Sequence, residues 1–455
     1  MNGSPRRISR RDLLSAAVGA GAAITLGSPI ESFALGRTPL GGKLSFRVPW
    51  SLASMDPHDL RDPAAALFAH AVFDSLFALD ASSAPYATLA NAMPAREGAG
   101  TVVRLRDGLR TAHGTALDAR DVIFSVDRAR ARGGAALWTD LPKPTAHPGE
   151  RLAVIFGSAD PYKLARALAS PLFALVPRGF SASSPDGTGA FRADVKGGKL
   201  ALARNMNAAR GPAYLESIEV ESAADLKSSL RQFEAERDDV GWLGTGLFGG
   251  RKGAVKFDCG PLAWVVLVTG SDAGSAGNQG EAQKLVSAVP TERLGHLGLG
   301  SLPAATGSAT WTGPKTDLVV DESSPHLVEI ATTLAPILSS PGHEVTVASV
   351  ARSEVAKRRG KSALVLDVVR PLAPGAMGTL LALASAEDPA RASQLAKQPP
   401  KTVPSTARGA GALLKVGVIG EVRAQGGVVP DVTLSKNTIS DGWDLGASFR
   451  RKATK

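Results

Sequence analysis

Val103-Arg104-Leu105-Arg106-Asp107-Gly108-Leu109-Arg110-Thr111-Ala112-His113-Gly114-Thr115-Ala116-Leu117-Asp118-Ala119-Arg120-Asp121-Val122-Ile123-Phe124-Ser125 is the most legible stretch of the 455-residue chain. Val102 to Arg106 alternates apolar and polar residues, the period of a half-buried strand. Asp107-Gly108 and His113-Gly114 supply turns, with glycine where a positive φ is cheap. Asp118 stands at the N-cap of an amphipathic helix running to Arg128. Asp121, three residues on, is placed to reach back to the cap as in a capping box, although Glu or Gln is usual there. Val122, Phe124, Ser125 and Val126 follow, with Phe124 expected to face inward. These are turn and cap residues; they specify a framework and say little about chemistry.

Outward from this block, strands alternate with helices. Lys43 to Pro49, Leu152 to Phe156 and Ile218 to Glu221 read as strands, as do Leu318 to Val320, Glu344 to Val347 and Ala363 to Leu366. Pro63 to Leu79 reads as one Ala-rich helix. Asp160 to Leu168 reads as another, with Asp160 as N-cap and Pro161 at the first helical position. Ala223 to Glu236, Glu281 to Val289 and Pro325 to Leu338 complete the helices. The pattern predicts an α/β protein with more than one sheet. Gly/Ser/Ala-rich loops at 270–280 and 298–312, and a Pro/Lys-rich connector at 398–406, are the candidate crossings between lobes. No fixed-period repeat is found.

Composition narrows the function. The chain is 44% hydrophobic and 21% charged, an ordinary globular balance, and its length calls for two or three lobes. A net charge of +10 without an aromatic-interleaved basic stripe reads as a solvated surface, so no nucleic acid partner is expected. One cysteine, Cys259, allows neither an internal disulfide nor a thiolate cluster. The seven histidines show no metal-ligand spacing, so no metal site is expected. A Gly-x-Ser-x-Gly elbow, a His-Glu-x-x-His helix and a Ser-x-x-Lys in a catalytic setting are all missing, and Gly295 to Gly300 lacks the context of a phosphate loop. The expectation is a non-enzyme, with no catalytic residue and no cofactor.

Residues 1–34 read as a leader of the twin-arginine type. Arg6, Arg7, Arg10 and Arg11 form the basic region, and Ser9-Arg10-Arg11-Asp12-Leu13-Leu14 fits the export pattern with leucine where phenylalanine is common. The uncharged stretch from Leu13 to Ile30 is interrupted by Gly19, Gly21, Gly27, Ser28 and Pro29. It therefore falls short of the ~20 predominantly apolar residues of a span. Cleavage is expected near Ala34, leaving a soluble periplasmic protein, exported already folded.

Several segments, in order, resemble the extracytoplasmic solute-binding protein family 5, the binding components of peptide and nickel ABC importers. Leu52-Ala53-Ser54-Met55-Asp56-Pro57-His58 is similar to the family's "LDPH" element, and Ala71 to Phe77 to its first helix. The block from Val103 to Ser125 resembles its strand-turn-strand-turn-helix pattern. Gly187-Thr188-Gly189-Ala190-Phe191 is similar to its "GTGPF" return strand, and Gly211 to Ile218 and Phe233 to Gly241 match two further elements. The likeness is good from Lys43 to Trp242 and fainter to Leu366.

The resemblance implies a periplasmic-binding-protein-like α/β fold, with two main lobes, a smaller extra lobe and a ligand cleft between hinged lobes. It implies a discontinuous first lobe of 43–58, 186–262 and 410–455, an extra lobe of 59–185 and a distal lobe of 263–409. The implied function is capture of a peptide or peptide-like solute by a monomer and delivery to an ABC transporter permease. A degenerate relative acting as an envelope sensor or scaffold is the alternative. Ligand contacts are expected at Met55, Asp56, Trp242, Trp264 and Arg370.

Arg370 marks a departure. Where relatives anchor a ligand ammonium with an aspartate, the match of Leu366 to Met377 puts Arg370 at that position and Ala373 at the second aspartate. An arginine there would favour a carboxylate, which it can fork. The helix from Glu281 also lacks the family's Asp-Arg pair, and Pro290 ends it early.

Overall fold

The computed structural model describes residues 37–244, 251–302, 304–305, 307–436 and 442–451. The leader read in 1–34 lies outside them. No described helix is long and apolar enough to cross a membrane.

The chain opens with strand β1 (Lys43–Val48) and helix α1 (Pro63–Val72). Strands β2 (Phe77–Leu79) and β3 (Pro85–Ala87) pair as a short ribbon. Strands β4 (Ala95–Glu97), β5 (Gly100–Arg104), β6 (Thr145–Ala146) and β7 (Ala153–Ile155) form a four-stranded sheet in the order β4-β5-β7-β6. Helices α2 (Ala119–Ala131) and α3 (Pro161–Leu168) belong to this part of the chain. It has its own core, in which Val103, Val122, Val154, Phe156, Leu164 and Phe173 are all buried together.

The remaining strands are β8 (Phe191–Lys196), β9 (Lys199–Arg204), β10 (Ser217–Ser222), β11 (Val240–Trp242), β12 (Val255–Thr269), β13 (Thr316–Asp321), β14 (Val345–Val350), β15 (Leu364–Val369), β16 (Val416–Val428), β17 (Val432–Lys436) and β18 (Trp443–Arg450). Interspersed are α4 (Leu226–Glu234), α5 (Glu281–Ser287), α6 (Thr291–Leu294), α7 (Pro325–Leu338), α8 (Arg352–Arg358), α9 (Gly375–Glu387), α10 (Pro389–Lys397) and α11 (Ala407–Gly411). β17 and β18 pair with each other. The main sheet of the described residues runs β14-β13-β15-β12-β16-β11-β1-β10-β9-β8.

β12 and β16 lie at the centre of that order and are its longest strands. They run antiparallel from Val255↔Val428 to Val268↔Val416. One end of the pair meets β11, and the other meets β15. The paired passage between the two halves of the sheet is therefore made by these strands. Of the loops read as crossings, the one at 298–312 also runs from one half to the other, with Gly298 O accepting from Gln425 Nε2 at 3.3 Å and Trp311 N–H donating to Leu338 O at 2.7 Å. The reason for the pairing is hydrogen bonding: a crossing through the core must satisfy its backbone, and a paired strand does so. Their ladder slips at Asp258/Pro261, Pro261/Ala263 and Val265/Val266.

The decisive block folds as read. The Asp118 carboxylate accepts from Arg120 N–H at 2.9 Å, and Asp121 Oδ2 accepts from Asp118 N–H at 2.8 Å. Gly108 and Gly114 take φ of +72° and +90°. The helix from Pro63 is shorter than read: it stops at Val72, Phe73 is extended, and Phe77–Leu79 is a strand. What stops it is the return segment. Gly189 N–H donates to Val72 O at 2.9 Å, and Thr188 Oγ1 donates to Asp74 Oδ2 at 3.0 Å. Trp311, within the Gly/Ser/Ala-rich stretch at 298–312, is fully buried and donates to Pro314 O at 2.7 Å.

Gly187 and Gly189 allow this approach. A Cβ at Gly187 would lie 2.2 Å from Val72 O, and one at Gly189 2.6 Å from Val72 C. Both contacts are with backbone, which cannot swing aside. Gly189→Ala is expected to cost about 2 kcal/mol or more of stability in urea unfolding, as overpacking does. Gly295→Ala, whose Cβ meets nothing within 4 Å, should stay within about 0.5 kcal/mol. Equal midpoints for the two variants would contradict this reading.

Candidate ligand site

A cavity of about 380 Å³ opens where the C-terminal half of α1, the segment after it, the β12 slip, the 370–375 turn and the start of β18 meet. Its apolar wall is small and smooth, with Ala65, Ala69, Ala174, Pro171 and Leu262, and three aromatics, Phe73, Phe77 and Trp443, at its margins. A concave, mostly apolar space with a few polar groups is the usual form of a small-molecule site.

Six ionisable side chains line it: Arg37, His70, Asp74, Arg210, Arg370 and Asp444. Arg37 pairs with Asp444 at 3.0 Å, and Arg210 lies 3.8 Å from Asp74. Burial pushes Asp74 above the usual carboxylate range, against the pull of Arg210 and Thr188. Burial also takes His70 down to about 4, so it is neutral at pH 7, and its Nε2 accepts from Leu445 N–H at 3.5 Å. Arg370 is 5% exposed and sits just past the end of β15. Its Nη1 donates to Pro57 O at 3.0 Å and Asp59 O at 3.2 Å, and its N–H to Leu60 O at 2.9 Å.

Those carbonyls belong to a densely charged segment, Asp56 to Asp62, that docks on the other half of the sheet. Arg352 reaches Asp59 at 3.6 Å and Asp62 at 3.5 Å. Arg61 donates to Ser385 O and Ala386 O, and lies 3.6 Å from Asp367. Asp56 is forked by Arg128 at 2.6 and 2.7 Å and reached by Arg132 at 3.0 Å. Burial alone would raise Asp56, but the Arg128 hydrogen bonds and the two arginine charges hold it below the ordinary value. His58, fully buried and pushed down to about 4 by burial, donates from Nε2 to Ala174 O at 2.7 Å and accepts at Nδ1 from Arg128.

Of the five residues expected at the ligand, Arg370 lines this cavity. Met55 and Trp242 are packed in the main core, Trp242 edge-on to Trp50 at 6.3 Å. Trp264 is 8% exposed and packs in the cluster with Leu60, Val369 and Leu380. Asp56 is enclosed by its arginines. Sequence reading missed Arg37, His70, Asp74, Arg210 and Asp444. Asp74 was within reach of it: breaking the helix at Phe73 would have turned the residue out of a helix face and towards the site. The Arg37–Asp444 pair joins residues 407 positions apart and carries no local signal.

His326 is a third buried histidine, pushed down to about 4 by burial; its Nε2 donates to Leu297 O at 2.6 Å. An unfolded chain takes up these protons near 6.5, whereas the folded protein does so only near 4. The stability they contribute is complete above pH 6.5 and is lost as pH falls towards 4. Thermal unfolding of His326→Gln, which keeps a donor for Leu297, should show a shallower loss of Tm from pH 6.5 to 4.5 than the parent. Parallel slopes would contradict the assignment.

No family model and no curated protein matches the chain. Solved structures do. The ABC transporter-associated periplasmic binding protein DppA from Helicobacter pylori, in complex with peptide STSA, superimposes with a TM-score of 0.67 at 14% identity, covering 91% of this chain and 99% of its own. A dipeptide binding protein from Pseudoalteromonas sp. SM9913, in complex with Met-Leu, gives 0.66 at 14%, covering 90% and 100%. NikA from Brucella suis, in complex with Fe(III)-EDTA, gives 0.62 at 17%, covering 90% and 100%. The resemblance read from the sequence thus holds at the level of fold: the chain has the periplasmic-binding-protein-like architecture of these proteins.

Proposed function

We propose that this chain is an extracytoplasmic solute-binding protein that captures a small molecule in the cavity beside Arg370 and hands it to an ABC transporter permease. The observation that carries the reading is the position of the cavity. Pro261 and Leu262, at the slips of the β12–β16 ladder, form part of its wall. A bulge loses ladder bonds and bends more readily than regular strand, so the chain is most easily flexed where it touches the ligand space. Closing the two halves about that point would trap a solute; opening would release it. The three named neighbours share this fold and are binding proteins with peptide or chelate ligands, which supports a binding role without catalysis.

Among the expected contacts, Arg370 is the one we retain as a ligand residue. Met55, Asp56, Trp242 and Trp264 would act through the framework behind it. The lobe limits given above, the leader and the periplasmic location stand as parts of the same proposal.

The test is a thermal-shift and calorimetric screen of the protein lacking residues 1–34 against di- to pentapeptides, amino-acid derivatives and nickel chelates. At least one class should raise Tm. Ala69→Trp, which fills the cavity from α1, should keep most of the unliganded Tm and lose that shift. A bound class whose shift survives Ala69→Trp would place the site elsewhere. Deleting the chain from its cell should then reduce uptake of the solute identified; unchanged uptake would remove the transport role and leave binding alone.

A further inference from the structure

We infer that the solute is a small amphiphilic monoanion that presents a carboxylate to Arg370. This rests on the cavity being the ligand site. The charges on its wall carry the inference. Three arginines face two aspartates, with His70 neutral, so the wall holds one net positive charge. Arg37 and Arg210 each have a carboxylate within 4 Å, whereas Arg370 has none among the described residues.

The three aspartates behind Arg370 favour its charge from a distance, but none lies within 4 Å of it and each is already paired with another arginine. Asp56 is held by Arg128 and Arg132, and Asp59 and Asp62 by Arg352. Arg370 is 5% exposed, and a guanidinium with no carboxylate within 4 Å is costly to desolvate, a cost that a bound anion offsets. Its hydrogen bonds run from Nη1; among the described residues, none engages Nε or Nη2, the side-on pair that matches a carboxylate.

A second feature of the same wall has the same sign. Helix α9, 13 residues long, begins there: Pro374 is its N-cap and provides no side-chain cap, and Pro374 and Gly375 line the cavity. Gly378 lets the first turn close against Ala373 O, where a Cβ would lie 2.0 Å away. The positive end of the helix dipole therefore adds to Arg370. An ammonium finds no equivalent, because Asp74 and Asp444 already have arginines. The rest of the wall, alanine, proline and leucine, suits a short apolar body behind the carboxylate.

The experiment uses matched triplets on one scaffold: an N-acetyl dipeptide, the free dipeptide and the dipeptide amide, with N-acyl amino acids and short carboxylic acids of similar size. Calorimetry and Tm shifts are read for the parent, Arg370→Lys, Arg370→Met and Ala69→Trp. Monoanions should bind at least tenfold tighter than their zwitterionic and amidated partners. That preference should weaken in Arg370→Lys, which keeps the charge but not the fork, and vanish in Arg370→Met. Zwitterions or amides binding as tightly as the monoanions would overturn the charge inference and leave the cavity reading in place. So would monoanion binding that survives both Arg370 variants but not Ala69→Trp. No binding by any member, here and in the broad screen, would remove both readings.

Discussion

The antiparallel pairing of β12 with β16 is the constraint on which the rest of the molecule depends. It is the longest ladder in the main sheet, and each half of that sheet hangs from one end of it. Val265, Val266 and Leu267 are completely buried, so the pair is fixed by apolar burial as well as by hydrogen bonds. Its regular segments hold the two halves of the sheet in register, and its slips fall near Pro261 and Val265. The cavity lies beside Pro261. Regular pairing and local irregularity are thus supplied by the same two strands.

A second constraint is electrostatic. The segment from Asp56 to Asp62 packs three buried or half-buried carboxylates against arginines from α2 and from the 352–370 region. Each such ion pair is expensive to desolvate, and the network is held because nearly every charge has a partner and a backbone hydrogen bond beside it. Asp62, for example, also accepts from Asp56 N–H and Ala65 N–H, and so serves as the N-cap of α1. Within this matched set Arg370 is the member turned towards the cavity, and its local partners are carbonyls. The same arrangement therefore accounts for both the docking of the segment and the placing of Arg370 on the cavity wall.

Much of the fold could be read in the sequence because its framework residues act locally. The Asp118–Asp121 box, the Asp160-Pro161 start and the glycines of 187–189 each bring their physical reason with them. Errors arose where a distant segment decides. The Ala-rich run from Pro63 could continue as helix to Leu79 on its own terms, but Gly189 binds its last carbonyl and ends it. Trp242, at a strand end, and Trp264, at the start of an apolar strand, could face a cleft or pack in the core on sequence alone; both are enclosed by side chains from elsewhere in the chain. Of the cavity's lining residues, the sequence reading had singled out Arg370 alone, through its place in a recognisable segment. Arg37, Asp444 and Arg210 come together through tertiary contacts alone.

The idea that two halves move about the central strand pair is tested most directly by distances. Cys259 is the single cysteine, so a Cys259→Ser background carrying Arg192→Cys on β8 and Lys357→Cys on α8 can be spin-labelled at two exposed sites on opposite sides of the pair. Pulsed dipolar measurement should give a broad or two-population separation for the empty protein. It should collapse to one shorter distance when a solute that raises Tm is added. One narrow separation, the same with and without solute, would contradict hinged capture.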